Sequence, residues 1–215
     1  MMHTDSTNVK SKSAPALAGR PPSKKSAQSE ATQRKLLRAA RRLFAKHGYA
    51  KVGTEEIVRA AGVTRGALYH QFADKRELFA AVFEETEREL IEEAAERAAD
   101  AKDPVEALRG GFLGWLDACS EPGVQRIVLV DAPAVLGWVE WREIGEKLGL
   151  GVTMAALQAG MDAGALASQP VRPLAHVVVG AVDEAALYIA RADDQETARA
   201  EMTQILDRLV DSLRA

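Results

Sequence analysis

The stretch TEEIVRAAGVTRGALYHQF, residues 54–72, has the residue pattern of two short helices joined by a tight turn. Thr54 precedes two glutamates, as an N-cap precedes an acidic first helical turn. The first helix is expected to stop at Gly62, and Thr64 is expected to cap the second. Two short helices connected in this way predict a helix-turn-helix, whose second helix enters the major groove of DNA.

The second of these helices has an apolar side and a polar side. The apolar set suits inward packing and consists of Val63, Ala67, Leu68 and Phe72. The outward set consists of Arg65, Gly66, Tyr69 and His70. A glycine within a helix costs about 1 kcal/mol relative to alanine, yet its missing Cβ lets the backbone approach DNA closely. The outward side therefore predicts a surface that reads DNA.

The distribution of charge supports this prediction. The chain of 215 residues has a net charge of −3, but residues 1–76 contain 16 Lys and Arg against 5 Asp and Glu. The remaining residues contain 12 basic and 26 acidic side chains. Such a division indicates a polyanion-binding end attached to a body that repels polyanions.

Residues 1–28 lack apolar periodicity and are expected to form a disordered basic tail. Within it, Arg20, Lys24 and Lys25 surround a stiff pair of prolines. This arrangement is similar to the core of an AT-hook, which lies in the minor groove. A solvated basic tail without a partner is the alternative interpretation.

Helical periodicity predicts one helix from Thr32 to near Gly48 and another from Lys75 toward Ala99. The second begins with DKRE, residues 74–77, which matches a capping box. It has an apolar face and an acidic face, and Glu87 is assigned to the acidic one. Further helices are predicted at about 104–119, 123–131, 138–163, 171–191 and 195–213, with breaks at Pro122, Pro133, Gly164 and Pro170.

Several classes of protein are disfavoured by composition and motifs. A single cysteine, Cys119, and four scattered histidines argue against a disulfide framework and a metal site. G-x-S-x-G, H-E-x-x-H and P-loop motifs are absent, so neither an enzyme nor a cofactor is expected. The absence of an 18-residue apolar run or an apolar leader predicts a cytoplasmic protein without a membrane partner. With 47% hydrophobic and 5% aromatic residues, an all-α fold is favoured.

The segments LLRAARRLFAKHGYAKV and TEEIVRAAGVTRGALYHQFADKRELFAAVF together resemble the DNA-binding region of the TetR/AcrR family of transcriptional regulators. The resemblance covers about residues 30–83. It implies a three-helix DNA-binding domain over residues 29–74, with the helix-turn-helix at about 54–73. It also implies a larger helical domain over residues 75–215 that binds a small molecule and forms a homodimer.

By this resemblance, Thr54 and Lys75 match positions that contact phosphate, and Tyr69 and His70 match an aromatic pair on phosphate. Thr64, Arg65 and Gly66 match positions that contact base edges. Other interpretations remain open: the threonines can be simple caps, Gly66 can relieve crowding, and Tyr69 can pack against the first helix.

In the larger domain, bulky and adaptable side chains favour a ligand cavity between the helix from Lys75 and residues 104–163. The candidate ligand-binding residues are Phe112, Trp115, Asp131, Trp138, Trp141, Met154 and Met161. Core packing is the alternative for each apolar member, and Asp131 either caps the segment at Pro133 or orients a polar ligand group. The candidate dimer-interface residues are His176, Gly180, Glu184, Leu187, Ile205 and Leu209.

These features together predict a homodimeric repressor that a small-molecule inducer releases from a near-palindromic DNA operator. An architectural DNA-binding protein that responds to no ligand is the alternative, because a basic tail and a weakly specific reading helix would suffice for it. The same residues are compatible with activation of transcription in place of repression.

Overall fold

The computed structural model describes residues 24–99 and 101–215 as a bundle of helices without a β-strand. The amino-terminal part comprises α1 (Lys24–His47), a 3-10 turn (Tyr49–Lys51), α2 (Thr54–Ala61) and α3 (Arg65–Gln71). The long helix α4 (Lys75–Ala99) joins this part to the rest. The body comprises α5 (Pro104–Cys119), α6 (Pro122–Gln125), a π-helical turn (Arg126–Asp131), α7 (Ala132–Leu136), α8 (Trp138–Asp162), α9 (Val171–Arg191) and α10 (Gln195–Asp211).

The amino-terminal part, called the head below and comprising residues 24–74, packs α1, α2 and α3 on the first turns of α4. Leu36 and Phe44 of α1, Ile57 of α2 and Leu68 of α3 are fully buried. Phe44, Tyr49 and Phe79 form a cluster of rings with centroids 5.0–5.7 Å apart. The ring cluster thus joins α1, the turn after it and the start of α4.

The core of the head continues into the body through α4. One cluster of buried residues extends from Leu36 through Phe83 and Leu116 to Leu206. A second cluster, which includes Leu108 and Leu157, fills the far end of the body. The two predicted domains therefore share packing at α4, so a movement of this helix is felt on both sides.

The predicted helices at 104–119 and 171–191 are confirmed, and the boundaries of the helix from Lys75 are confirmed as well. The prediction for the tail needs correction, because α1 already begins at Lys24. Residues 24–28 are thus helical, whereas Arg20 and most of the predicted tail lie outside the described residues. The prediction of a break at Pro133 is also wrong, because proline fits the first turn of α7, where no intrahelical N–H bond is needed.

Helix α9 has apolar side chains on its exposed side as well as on its buried side. The helix has 21 residues and, by length and composition only, is long and apolar enough to cross a membrane. Of its most apolar stretch of 18 residues, 39% is buried inside the protein. Ala175, Val178 and Val182 face the core, whereas Val177 and Tyr188 are 63% and 47% exposed. The exposed side of α9 is therefore an apolar surface that the other described residues leave uncovered.

Candidate nucleic-acid interface and ligand cavity

The turn between α2 and α3 sets the direction of the second helix. Gly62 adopts a left-handed conformation with φ +64°, which a side chain would strain. The hydroxyl oxygen of Thr64 accepts a hydrogen bond from Ala67 N at 3.2 Å, so the predicted cap of α3 is confirmed. Leu68 and Phe72 then point into the core. As a result, the opposite face of α3 is left on the surface.

The structure brings together three of the predicted contact residues. Arg65 lies over the ring of Tyr69, 5.6 Å from its centroid. Hydrogen bonding with Thr54 lowers the pKa of the Tyr69 hydroxyl, and hydrogen bonding with Arg65 lowers it further. Arg65 also lies 3.6 Å from the carboxylate of Glu55, an exposed pair that contributes little stability. Thr54, Arg65 and Tyr69 thus form one exposed polar cluster at the α2–α3 junction.

The structure corrects the role predicted for Thr54. Gly53 is the N-cap of α2, and Thr54 is the first residue inside the helix. Glu56 N and Ile57 N bond the carbonyl of Gly53 instead of the threonine side chain. The Thr54 hydroxyl therefore makes no capping hydrogen bond for α2.

Gly66 lies on the exposed face of α3 with open space beside it. A Cβ built at this position meets nothing nearer than Thr64 Oγ1, at 4.0 Å. The alternative that Gly66 relieves crowding within the protein is therefore wrong, because no crowding exists there. The neighbouring His70 is exposed as well.

Lys75 has partners that the sequence did not indicate. Its ammonium donates to the carbonyls of Tyr49 and Val52, at 3.0 and 3.1 Å, and lies 3.9 Å from the centroid of the Tyr49 ring. Since an ammonium has three donors, one N–H is left for another acceptor. In the protein without DNA, the main role of Lys75 is thus to hold the backbone at Tyr49 and Val52.

Two groups from the body hold the end of α1 and the turn after it. Arg126 donates to the carbonyls of Ala45 and Lys46 at 2.8 and 2.6 Å. The carboxylate of Asp131 accepts a hydrogen bond from Tyr49 N at 2.7 Å. Asp131 occupies the N-cap position of α7, as one of its two predicted roles requires, but its side chain makes no cap hydrogen bond there. It does not line the cavity. Asp131 and Tyr49 are 82 residues apart in the sequence, so no local pattern could have predicted this contact.

A cavity that is partly open to solvent lies among α4, α5, α8 and α9. Phe112, Trp115 and Trp141 line it, at the place predicted for the ligand cavity. Alanine, glycine and valine residues form most of the remaining wall. The indole Nε1 of Trp115 is buried and has no hydrogen-bond acceptor within the described part of the chain.

Three other predicted cavity residues lie elsewhere. Trp138 is 57% exposed on the first turn of α8, where its ring lies 4.9 Å from that of Trp141. Met154 and Met161 pack against the second core cluster. Met154 and Met161 lie on the side of α8 opposite Gly145, which lines the cavity, so helical phase explains their placement. Trp138 shares the side of Gly145 but is the first residue of α8, before the cavity wall begins at Trp141.

The cavity also contains charged residues that the sequence did not single out, namely Glu87, Arg142 and Asp183. Glu87 is 4% exposed, so its assignment to the acidic face of α4 is wrong. Its spacing from Phe83 and Leu90, four residues before and three after, is the signal that would have placed it on the buried face. Burial, together with the charge of Asp183, raises the pKa of Glu87 to about 8.

The residues predicted for the dimer interface divide into two groups. Glu184 and Ile205 are exposed, and His176, Gly180 and Leu209 are partly exposed. Leu187 is 2% exposed in the main core cluster, so its placement at a free surface is wrong. His176 Nδ1 lies 3.6 Å from the carboxylate of Glu146 on α8.

Comparisons with known proteins agree with this architecture. Residues 36–82 match the family model of bacterial regulatory proteins of the tetR family, and residues 105–213 match the tetracyclin repressor-like C-terminal domain. The regulator AcrR of Shigella flexneri is 38% identical over 103 residues, which are 47% of this chain and 48% of that protein. The repressor Rv1474c of Mycobacterium tuberculosis is 46% identical over 119 residues, 55% of this chain and 51% of its own. The chain thus spans about half the length of these curated relatives.

Solved structures extend the similarity over most of the chain. A TetR-family regulator from Pectobacterium atrosepticum superposes with a TM-score of 0.80 at 32% identity, over 88% of this chain and 97% of that one. The structure of RolR in complex with resorcinol shares the fold, with a TM-score of 0.68 at 19% identity over 86% of this chain and 95% of its own. The paired family models and the close structural match lead to one conclusion: the chain belongs to the TetR family of transcriptional regulators.

Proposed function

We propose that the protein is a homodimeric transcriptional repressor that leaves a near-palindromic DNA operator when a small molecule binds the cavity. The observation that carries this proposal is a short series of contacts between the cavity and the head. Trp141 forms part of the cavity wall and donates a hydrogen bond to the carbonyl of Val128 at 3.1 Å. Val128 lies in the π-helical turn whose Arg126 and Asp131 hold the end of α1 and Tyr49.

The reading surface is the exposed face of α3 with the cluster of Thr54, Arg65 and Tyr69. Open space beside Gly66 allows the helix backbone to approach base edges, and Arg65 can pair with guanine through two hydrogen bonds. The Tyr69 hydroxyl can bond phosphate. On α1, Lys35, Arg38 and Arg42 line a shallow groove beside α2 and add basic side chains to the head.

The apolar surface of α9 and α10 supports a dimer. Val177, Tyr188 and Ile205 are 63%, 47% and 54% exposed, which is unusual for three large apolar side chains on adjacent helices. A second copy of the same surface would cover them through a two-fold contact. Such a dimer presents two α3 helices, which suits half-sites one turn of DNA apart, about 34–36 Å.

Release from DNA requires that the ligand prefer one arrangement of the heads to the other. A ligand that changes the position of Trp141 acts on the π-helical turn, and through it on α1 and Tyr49. The ligand can shift the equilibrium only by its difference in affinity for the two states, typically about 1–3 kcal/mol. Such a regulator acts on DNA in the bacterial cytoplasm. The neighbour RolR, whose structure contains resorcinol, shows that this fold can hold a small aromatic molecule.

The dimer can be tested by sedimentation of purified variants. Val177→Asp is expected to yield monomers, because it places charges face to face across the proposed two-fold interface. Val139→Asp changes an equally exposed valine on α8 and is expected to leave the dimer intact. If Val177→Asp sediments like the unmodified protein, the interface lies elsewhere.

Operator recognition can be tested by selecting genomic fragments with the purified protein. The selected fragments are expected to contain a near-palindrome that binds at least about 10³-fold more tightly than a scrambled duplex of equal length. A much smaller ratio would favour the architectural DNA-binding protein instead. Compounds added to the complex then report inducers through loss of fluorescence anisotropy of labelled DNA.

A further inference from the structure

A buried carboxyl without a partner marks one point on the cavity wall. Glu87 is 4% exposed, and no described side chain or backbone group forms a hydrogen bond with its carboxyl. The adjacent Thr86 hydroxyl donates to the carbonyl of Val82 and does not turn toward Glu87. Buried carboxyl groups are nearly always paired, so this one is poised for a partner that residues 24–99 and 101–215 do not supply.

The positive charge on the cavity wall is already neutralised by other groups. Arg142 donates to Asp183 at 2.5 Å and to Glu146 at 3.0 Å. Two carboxylates therefore more than balance one guanidinium, so an ionised Glu87 would add further negative charge to a wall that already has a surplus. The nearby titratable groups on the other elements are Asp183 on α9, Arg142 on α8 and the thiol of Cys119 on α5.

A proton on Glu87 removes its share of this negative charge near pH 7. Burial and the charge of Asp183 raise the pKa of Glu87 to about 8, so the group is mostly neutral near pH 7. Asp183 has a pKa raised to about 6 by burial, which Arg142 opposes, and is mostly ionised at pH 7. A positive charge beside Glu87 would replace this proton without adding net charge to the site.

The rest of the wall suits the apolar part of a cation. Phe112, Trp115 and Trp141 present aromatic surface, which attracts cations through the charge distribution of the ring. The small residues Ala94, Gly111 and Gly145 leave width for a broad apolar group. An anionic ligand finds the opposite conditions, because it would meet Asp183 and a carboxyl at the same wall.

We propose that the cavity binds a lipophilic cation, an amine or quaternary ammonium with an aromatic group, whose charge lies against Glu87. This inference rests on the proposed function only in taking the cavity as the site of the inducer. It identifies the chemical class of that inducer through a single carboxyl.

Calorimetric titration of the full chain with a matched pair of probes tests the proposal. The cation is 4-phenylbutyltrimethylammonium, and the neutral probe is its carbon analogue with a tert-butyl group in place of trimethylammonium. The cation is expected to bind roughly tenfold or more tightly than the analogue. This preference should disappear in Glu87→Gln and remain in Glu92→Gln, which removes an exposed carboxylate from the same helix.

Proton release gives a second readout that a purely structural role of Glu87 would not produce. Binding of the cation at pH 7 is expected to release close to one proton, measured from the dependence of the binding heat on buffer ionisation. The affinity should therefore increase with pH up to about 8. Glu87→Gln should release none, and its thermal unfolding checks that the variant is folded.

Equal binding of the two probes, or the same preference in Glu87→Gln, would overturn the assignment of the ligand class. Absence of binding by the cation would overturn it as well. These results leave the proposed repressor untouched if another compound still releases the operator. Conversely, failure of the protein to select any DNA would refute the repressor without affecting the titration of the cavity.

Discussion

The carboxylate of Asp131 accepts a hydrogen bond from the backbone N–H of Tyr49 at 2.7 Å, across the boundary between body and head. Gly48 lies directly beneath this contact, and a Cβ there would stand 3.6 Å from the same carboxylate. The ring of Tyr49 in turn covers the ammonium of Lys75 at the start of α4. Asp131 therefore holds the turn on which the position of the head depends.

Removal of this contact should loosen the head. Asp131→Ala is expected to lower the free energy of unfolding by about 1.5–3 kcal/mol, because a charged acceptor is lost and Tyr49 N is left unpaired. Operator release by an inducer should weaken as well. Denaturant unfolding and operator titration check both effects, with Asp162→Ala, on the exposed end of α8, as the control. Unchanged inducer response would show that coupling bypasses Asp131.

Gly66→Ala separates folding from DNA binding. The added Cβ enters open space, so the variant should be as stable as the natural protein or more stable by up to about 1 kcal/mol. Operator affinity should nevertheless fall by roughly tenfold or more, since the methyl group holds the backbone away from DNA. Gly151→Ala, at an exposed helical position of α8 with open space beside it, should gain stability and retain full DNA binding.

Arg65→Ala is expected to relax sequence preference at one base pair of each half-site, at a loss of about 1–3 kcal/mol for the preferred base. Tyr69→Phe should instead weaken binding to operator and scrambled DNA alike, because a phosphate contact carries no sequence information. Binding to a set of single-base operator variants distinguishes the two. Lys102→Ala, far from α3 in sequence, is the charge control. An intact base profile in Arg65→Ala would exclude this residue as a base reader.

Lys75→Met should chiefly affect stability. The carbonyls of Tyr49 and Val52 lose a charged donor, and unfolding should require about 1–3 kcal/mol less. If the third N–H bonds phosphate in the complex, the slope of log K against log salt also falls by about one unit. Lys51→Met removes an exposed charge from the same turn and should leave stability unchanged. Equal stability of the two variants would contradict the structural role of Lys75.

Glu87 should make stability depend on pH. Its pKa is raised from the ordinary 4.5 to about 8 in the folded protein, so the native state holds a proton that the unfolded chain has released between these values. The contribution of Glu87 to stability is therefore fully present below about pH 4.5 and is lost as the pH rises to about 8. Glu87→Gln should gain stability relative to the natural protein by up to about 1.4 kcal/mol per pH unit over this range. Parallel curves for both proteins would show that Glu87 titrates normally.

Much of the fold follows from local features of the sequence. Apolar spacing and capping residues predicted α4, α5 and α9 at their observed boundaries, because a helix is determined by residues three and four positions apart. The helix-turn-helix was predicted for the same reason, since its turn, its cap at Thr64 and its outward residues lie within 20 positions. The uneven distribution of charge further predicted that the amino-terminal end binds a polyanion.

The charged part of the cavity wall and the connection of the cavity to the head were decided only by tertiary structure. Asp131 accepts a hydrogen bond from Tyr49, Arg126 caps the end of α1, and the charge of Asp183 raises the pKa of Glu87. The members of each pair are far apart in the sequence, so no local pattern records them. Glu87 also shows why charge alone misleads: it looks like one more glutamate of an acidic helix until packing with α5, α8 and α9 removes it from water. Local residue patterns determine which segments become helices, whereas burial and pKa depend on which helices finally surround a side chain.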